Sequence, residues 1–279
     1  MKILVAGSNG QLGREIKRQF EGKHNLILHD VDTLDITDIQ EVAEVVVNGK
    51  PDIVINAAAY TNVEKAEEDY ENAYKVNTIG AENLAIICKK YDITLFHIST
   101  DYVFDGAKKE DYEEFDPHNP LSVYGKSKSW GERLIQQVNG KYFILRTSWL
   151  YGDGNNFVRT MLRLSQDKRE ISVVGDQYGT PTYTKDLCWV IEKLMHTEFY
   201  GVYHASNNGS CSWCEFAKEI MKIANRSTIV KSLATEEYPV KAERPRYSVM
   251  ENRLLKLRGL NVVRTWQAAL EDYVTNDCK

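Results

Sequence analysis

Residues 2–13 read Lys2-Ile3-Leu4-Val5-Ala6-Gly7-Ser8-Asn9-Gly10-Gln11-Leu12-Gly13, and this stretch decides the fold. The apolar run through Ala6 is short enough for a buried parallel strand, and the three evenly spaced glycines lead straight into a helical pattern at Ile16 and Phe20. A strand, a glycine turn and a helix N-terminus together form an anion cradle. Glycines let the backbone approach a pyrophosphate and let the helix pack close, while unpaired N–H groups at the helix start face the charge.

Asn25 to His29 reads as the next strand, and Asp30 stands at its end, twenty positions after Gly10. A carboxylate there can accept hydrogen bonds from both hydroxyls of an adenosine ribose and repel a 2′-phosphate, or it can start a turn. Joined to the glycine run, the first reading leads, and it favours NADH, with NADPH as the alternative cofactor.

Strand-like and helix-like segments alternate onward from there. Thr37 and Gln40 are expected to cap a helix bearing Ile39, Val42, Ala43, Val46 and Val47; Ile53-Val54-Ile55 is a third strand; Val76, Ile79, Gly80, Leu84 and Ile87 mark one face of a longer helix. Strands follow at Thr94 to Ile98 and Phe143 to Arg146. The fold class is therefore α/β, a Rossmann-type doubly wound parallel sheet with a smaller C-terminal substrate-binding α/β cap. Residues 1–150 are expected to form the NAD(P)-binding domain and 151–279 mainly the cap. The segment 183–205, a helix at Asp186 to Met195 and a strand at Val202 to Ala205, returns to the main sheet.

Between the fourth and fifth strands, Tyr124 precedes Lys128 by four residues, so on a helix the phenol and the amine share a face. A free tyrosine ionises near pH 10, and each unit of downward shift takes about 1.4 kcal/mol, part of which a lysine cation can supply. This pairing is expected to let Tyr124 exchange a proton near neutral pH.

Composition narrows the class. With 279 residues, 43% apolar, the chain can bury a large core. A net charge of −5 and a pI near 5.8 give no reason to expect nucleic acid or an anionic membrane as partner. The acidic stretches Glu64 to Glu71 and Glu110 to Asp116 read as solvated faces. No membrane span or signal peptide is apparent, and a cytoplasmic location is expected. Five scattered cysteines argue against a disulfide framework, and no metal site is expected. Cys211 and Cys214 flank Ser212 and Glu215, which read as a capping box before Phe216, Ile220 and Ile223.

Gly-x-x-Gly-x-x-Gly at 7–13, Asn56-Ala57-Ala58-Ala59, Ser99-Thr100-Asp101-Tyr102-Val103-Phe104 and Tyr124-Gly125-Lys126-Ser127-Lys128 resemble the extended short-chain dehydrogenase/reductases. Arg146-Thr147-Ser148-Trp149-Leu150-Tyr151, Gly154-Asn155-Asn156-Phe157 and Asp176-Gln177-Tyr178-Gly179-Thr180-Pro181-Thr182 resemble, more narrowly, the dTDP-4-dehydrorhamnose reductase family. The resemblance implies that Asn9, Gly10, Gln11 and Leu12 touch the pyrophosphate between Gly7 and Gly13. It implies that Asp35 and Ile36 line the adenine and that Ala57, Ala58, Ala59, Tyr60 and Thr61 flank the nicotinamide half, with Asn77 and Ser99 also on the cofactor. Thr100, Tyr124 and Lys128 would be catalytic. Thr100, Asp101, Trp149, Asn156 and Arg244 would bind a nucleotide-sugar substrate, with Trp149 as core and Arg244 as a solvated arginine remaining as competing readings. A homodimer is a further option. Another nucleotide-sugar reductase or epimerase of the superfamily, or a non-catalytic cofactor-binding regulatory subunit, remain as alternatives.

Overall fold

The computed structural model describes residues 1–278, so the last position of the expected 151–279 unit lies outside the described residues. From the N-terminus the chain forms β1 (Lys2–Ala6), α1 (Gln11–Phe20), β2 (Asn25–His29), α2 (Ile39–Gly49), β3 (Ile53–Asn56), α3 (Val63–Ala66), α4 (Tyr70–Tyr74), α5 (Ala81–Lys90), β4 (Thr94–Thr100), α6 (Val123–Val138) and β5 (Tyr142–Thr147). Next come β6 (Leu150–Tyr151), α7 (Phe157–Asp167), β7 (Glu170–Val174), β8 (Tyr178–Gly179), β9 (Thr182–Tyr183), α8 (Thr184–Met195), β10 (Gly201–His204), β11 (Cys211–Ser212), α9 (Trp213–Ile223) and β12 (Ile229–Leu233).

The main sheet has the order β2-β1-β3-β4-β5-β10, every pair parallel. The chain leaves β1 toward β2 on one side and returns to β3 on the other, so the β1/β3 boundary is the topological switch point where a ligand crevice opens. Both sheet faces are covered. Leu12, Ile16 and Phe20 of α1 join Leu187, Ile191 and Leu194 of α8 against one face, each large side chain contributing roughly 1.5–3 kcal/mol by burial. Leu34, Val42, Val46, Leu84 and Ile87 cover the other. A separate core of Tyr151, Val158, Tyr183, Phe216, Trp266 and Tyr273 holds the C-terminal elements together.

Three local expectations are corrected. The cap of α2 is Asp38, whose carboxylate accepts from Gln40 N at 2.7 Å and Glu41 N at 3.3 Å, while the Thr37 N–H is taken by Asp35 Oδ1 at 2.8 Å. Residues Lys75–Gly80 form a π-helical turn between α4 and α5, and its extra residue rotates Ile79 out to solvent. The acidic stretches are not merely solvated. Glu67 accepts from Val123 N at 2.8 Å, and Glu114 is buried, accepting from His204 N at 3.2 Å and Leu254 N at 3.1 Å. The capping box of Ser212 and Glu215 is present as expected. Among the described residues no helix is long and apolar enough to cross a membrane, and no three acidic, histidine or cysteine side chains gather as a metal site.

Candidate active site

A cleft of about 810 Å³ opens at the C-terminal ends of β1, β3 and β4, at the switch point. Its floor depends on glycine. Gly7 has a φ of +83°, and a Cβ there would stand 2.6 Å from Ala58 N; a Cβ on Gly13 would stand 2.3 Å from the Gly7 carbonyl oxygen. Gly10 caps α1 with no side-chain acceptor, which leaves first-turn N–H groups available to an anion. Gln11 Oε1 and Thr147 Oγ1 are buried acceptors without a partner, and both residues line the cleft. A glycine cradle, an uncapped helix start and unpaired polar atoms fit a dinucleotide.

Gly7, Gly10, Gln11, Leu12, Asp30, Asp35, Ile36 and residues 57–61 all line the cleft, as do Ser99, Thr100, Asp101, Tyr124, Lys128 and Trp149. Asn9 points outward, but its N–H donates to Asp30 Oδ2 at 2.7 Å and so fixes that carboxylate; the Val31 N–H serves Oδ1 at 2.9 Å. Gly13 lies behind the cleft as a packing glycine. Asn77 is likewise behind it, accepting from Tyr60 N at 2.9 Å and donating to Tyr60 O at 3.1 Å and Ser127 Oγ at 3.0 Å. It straps the 57–61 wall to α6 rather than facing the cleft.

Ser122 caps α6 through the Gly125 N–H at 3.1 Å, which sets Tyr124 and Lys128 at the cleft, one turn apart. The expected downward shift of the Tyr124 phenol is corrected. Burial pushes it up to about 12, with the Thr100 hydroxyl acting the other way. Lys128 is itself buried and lowered to about 8 by that burial, against the pull of Glu132. Its amine donates to the Ile98 carbonyl at 2.6 Å and lies 3.1 Å from His97 Nε2. Tyr124 is therefore held as the neutral phenol, the form a proton donor needs.

Asp101 is buried at the end of β4. Its Oδ1 accepts from Thr100 Oγ1 at 3.0 Å, and its Oδ2 accepts from Ser148 Oγ at 3.1 Å and Ser248 Oγ at 2.5 Å. Burial raises its carboxyl to about 6, with those hydroxyls opposing. Ser99 donates to Glu132, which is clasped by Arg146 through Nη2 at 2.8 Å.

Two expected substrate residues stand elsewhere. Asn156 caps α7: its Oδ1 accepts from Arg159 N at 3.0 Å, and its Nδ2 faces Gly152 O at 2.7 Å, Gly154 O at 3.0 Å and the Tyr273 hydroxyl at 3.0 Å. Its polar capacity is thereby committed. Arg244 lies outside the cleft lining, paired to Glu64 of α3 at 2.8 Å, with its Nε unpartnered. Its guanidinium still acts on the Tyr102 phenol, whose ring packs edge-on to Tyr124 with centroids 5.6 Å apart. Trp213, Thr147, Tyr102 and Val31 line the cleft without having been singled out in the sequence. An aromatic residue as the first residue of a capped helix, at 213, was the one usable signal.

Fold and cleft together define a Rossmann-type oxidoreductase. The chain belongs to the family described as the RmlD substrate binding domain, whose model matches residues 1–278. Among curated relatives it is 43% identical to the spore coat polysaccharide biosynthesis protein SpsK of Bacillus subtilis, over 98% of this chain and 96% of that one. Among solved structures it is similar to a dTDP-4-dehydrorhamnose reductase from Clostridium acetobutylicum, at 47% identity and a TM-score of 0.97 over 99% of both chains. A dTDP-4-dehydrorhamnose reductase from Bacillus anthracis in complex with NADP is 44% identical, with a TM-score of 0.96 over 98% of both chains.

Proposed function

We propose that this cleft reduces the 4-keto group of dTDP-6-deoxy-L-lyxo-4-hexulose to give dTDP-L-rhamnose, a step toward cell-surface polysaccharide. The carrying observation is a neutral Tyr124 beside Thr100 and Lys128 in a cleft floored by a glycine cradle. When bound, NAD(P)H supplies the hydride for the C4 carbonyl carbon. The first turn of α1 and Gln11 hold the pyrophosphate, Asp30 the adenosine ribose, and Asp35 and Ile36 the adenine. Residues 57–61 and Ser99 flank the nicotinamide half, and Lys128 meets its ribose.

Tyr124 gives its proton to O4 as charge develops there, a contribution of about 10² to 10⁴ in rate. Thr100 turns its hydroxyl hydrogen from Asp101 Oδ1 and donates it to the same oxygen. Solvent then restores the Tyr124 proton before the next turnover. Asp101 and Trp149 bound the sugar, and Arg244, once it leaves Glu64, is within the region of the diphosphate. NADH is the preferred cofactor because the Asp30 carboxylate opposes a 2′-phosphate; the NADP complex of the Bacillus anthracis relative supports NADPH as the alternative. The reading is tested by following absorbance of NADH or NADPH with the ketosugar generated in situ and identifying the product. Formation of dTDP-L-rhamnose supports it, and cofactor binding without consumption rejects it.

A further inference from the structure

Behind the Lys128 amine a chain of buried polar groups has a fixed direction. The Ala58 N–H donates to Asn56 Oδ1 at 3.1 Å, so the amide nitrogen of Asn56 must be the atom facing His97, and Nδ2 lies 3.1 Å from His97 Nδ1. An amide nitrogen only donates. His97 Nδ1 therefore accepts, the single proton of the neutral ring sits on Nε2, and Nε2–H points at Lys128 Nζ, 3.1 Å away. A ring N–H can be received there only by a lone pair. Flipping the Asn56 amide would set N–H against the Ala58 N–H, and an imidazolium or an ammonium would place donor against donor within a site where Asn56, His97 and Lys128 are each 1% exposed.

We propose that Asn56 and His97 are positioning residues that hold Lys128 as a neutral amine in the ligand-free protein, through the donor order Ala58 N–H, Asn56, His97, Lys128. The remaining surroundings agree. From β4 the Ile98 carbonyl takes an amine N–H at 2.6 Å. From α6 Tyr124 is neutral, and Glu132, which favours the ammonium, is already paired to Arg146 at 2.8 Å and lies 3.6 Å from His118. Burial outweighs the pull of Glu132 on Lys128, and burial holds His97 far below its usual value, so the ring does not charge. Lys128 thus takes up a proton only when a ligand or a changed neighbour gives the ammonium an acceptor. The bearing of this chain on turnover rests on the role proposed above for Lys128.

The test is the ring ¹⁵N spectrum of histidine-labelled, ligand-free protein, with His97 assigned by the resonance lost in His97→Gln or, should that variant not fold, by substituting the other histidines in turn. The expected result is the Nε2–H tautomer for His97 above about pH 8, the value to which burial lowers Lys128. Asn56→Asp reverses the chain, because a carboxylate accepts from both Ala58 N–H and Nδ1–H and leaves Nε2 to accept from an ammonium. In that variant the ring should switch to Nδ1–H, and the pH at which Lys128 takes up its proton, read from the ¹⁵N shift of its labelled amine, should move up by about one unit or more. An Nδ1–H ring or an imidazolium in the wild type, or an unchanged tautomer in folded Asn56→Asp, would overturn the proposal. The wild-type spectrum decides the matter alone if Asn56→Asp does not fold. An Nε2–H ring in a protein that turns over no ketosugar leaves this chain standing and rejects the functional reading instead.

Discussion

The indole of Trp149 lies flat on that of Trp213, with ring centroids 3.5 Å apart and 11° between their planes. The two arrive from different parts of the fold. Trp149 follows β5 in a left-handed backbone conformation with φ of 48°, which few side chains adopt without support, and Trp213 is the first residue of the capped helix α9. Their stack forms the cleft wall between the main sheet and the C-terminal core. Aromatic pairs contribute about 0.5–1.5 kcal/mol beyond burial. Trp213→Ala should lower stability by about that amount and, by freeing the Trp149 indole that bounds the sugar, raise KM for the nucleotide sugar while leaving the cofactor Kd unchanged. Steady-state kinetics beside a cofactor titration checks this.

Tyr124→Phe removes the proton donor and leaves the ring packed against Tyr102. Turnover should fall by about 10² to 10⁴ with cofactor affinity nearly unaltered. Near-wild-type turnover would remove Tyr124 from the mechanism.

Asp30→Ala deletes the carboxylate held by the Asn9 and Val31 N–H groups at the cleft edge. The ratio of kcat/KM for NADPH to that for NADH should rise, because the repulsion of a 2′-phosphate is gone. An unchanged ratio would make Asp30 a turn residue only.

Asn156→Ala separates a structural role from a ligand contact. Losing the α7 cap and the amide contacts to the Gly152 and Gly154 carbonyls should cost about 0.5–2 kcal/mol, read as a lower Tm or denaturant midpoint. KM for the sugar nucleotide should stay the same. A large KM change at unchanged stability would restore Asn156 to the substrate site.

Asp101 gives a pH signature with a definite sign. Its folded carboxyl, raised to about 6 by burial, stands above the unfolded value near 3.9. Between about pH 4 and pH 6 the folded state therefore binds more protons, so this group's contribution to stability is greatest below that window and is lost as pH rises through it. Denaturation of Asp101→Asn should lack that loss. The stability difference between variant and wild type should shift in the variant's favour by up to about 3 kcal/mol from pH 4 to pH 7. A difference independent of pH would mean that the folded carboxyl is not raised above its unfolded value.

Much of this architecture is legible in the sequence because it rests on local pattern. The apolar run of β1, the glycine turn and the Ile16–Phe20 spacing of α1 are short-range signals, and so is Asp30 at the end of β2. The cleft-lining residues Asp35, Ile36 and 57–61, in the turns after β2 and β3, are found through the family resemblance instead. Long-range pairing is not legible. The sequence does not show that Asn156 engages Tyr273, 117 positions away, or that Arg244 engages Glu64, 180 positions away. The register change at Ile79 needs one extra residue in a helical turn, which periodicity over a short window does not reveal. The protonation of Tyr124 was misjudged for the same reason. Spacing on α6 places Lys128 beside it, but only the fold shows the amine turned to Ile98 and His97.

The most direct measurement is a single turnover with NADH carrying deuterium at both positions of the nicotinamide C4, with dTDP-6-deoxy-L-lyxo-4-hexulose as acceptor and the product examined by NMR. The account predicts one deuterium at C4 of the rhamnose ring. Product with hydrogen at C4, or bound cofactor that transfers no deuterium to the sugar, would contradict it.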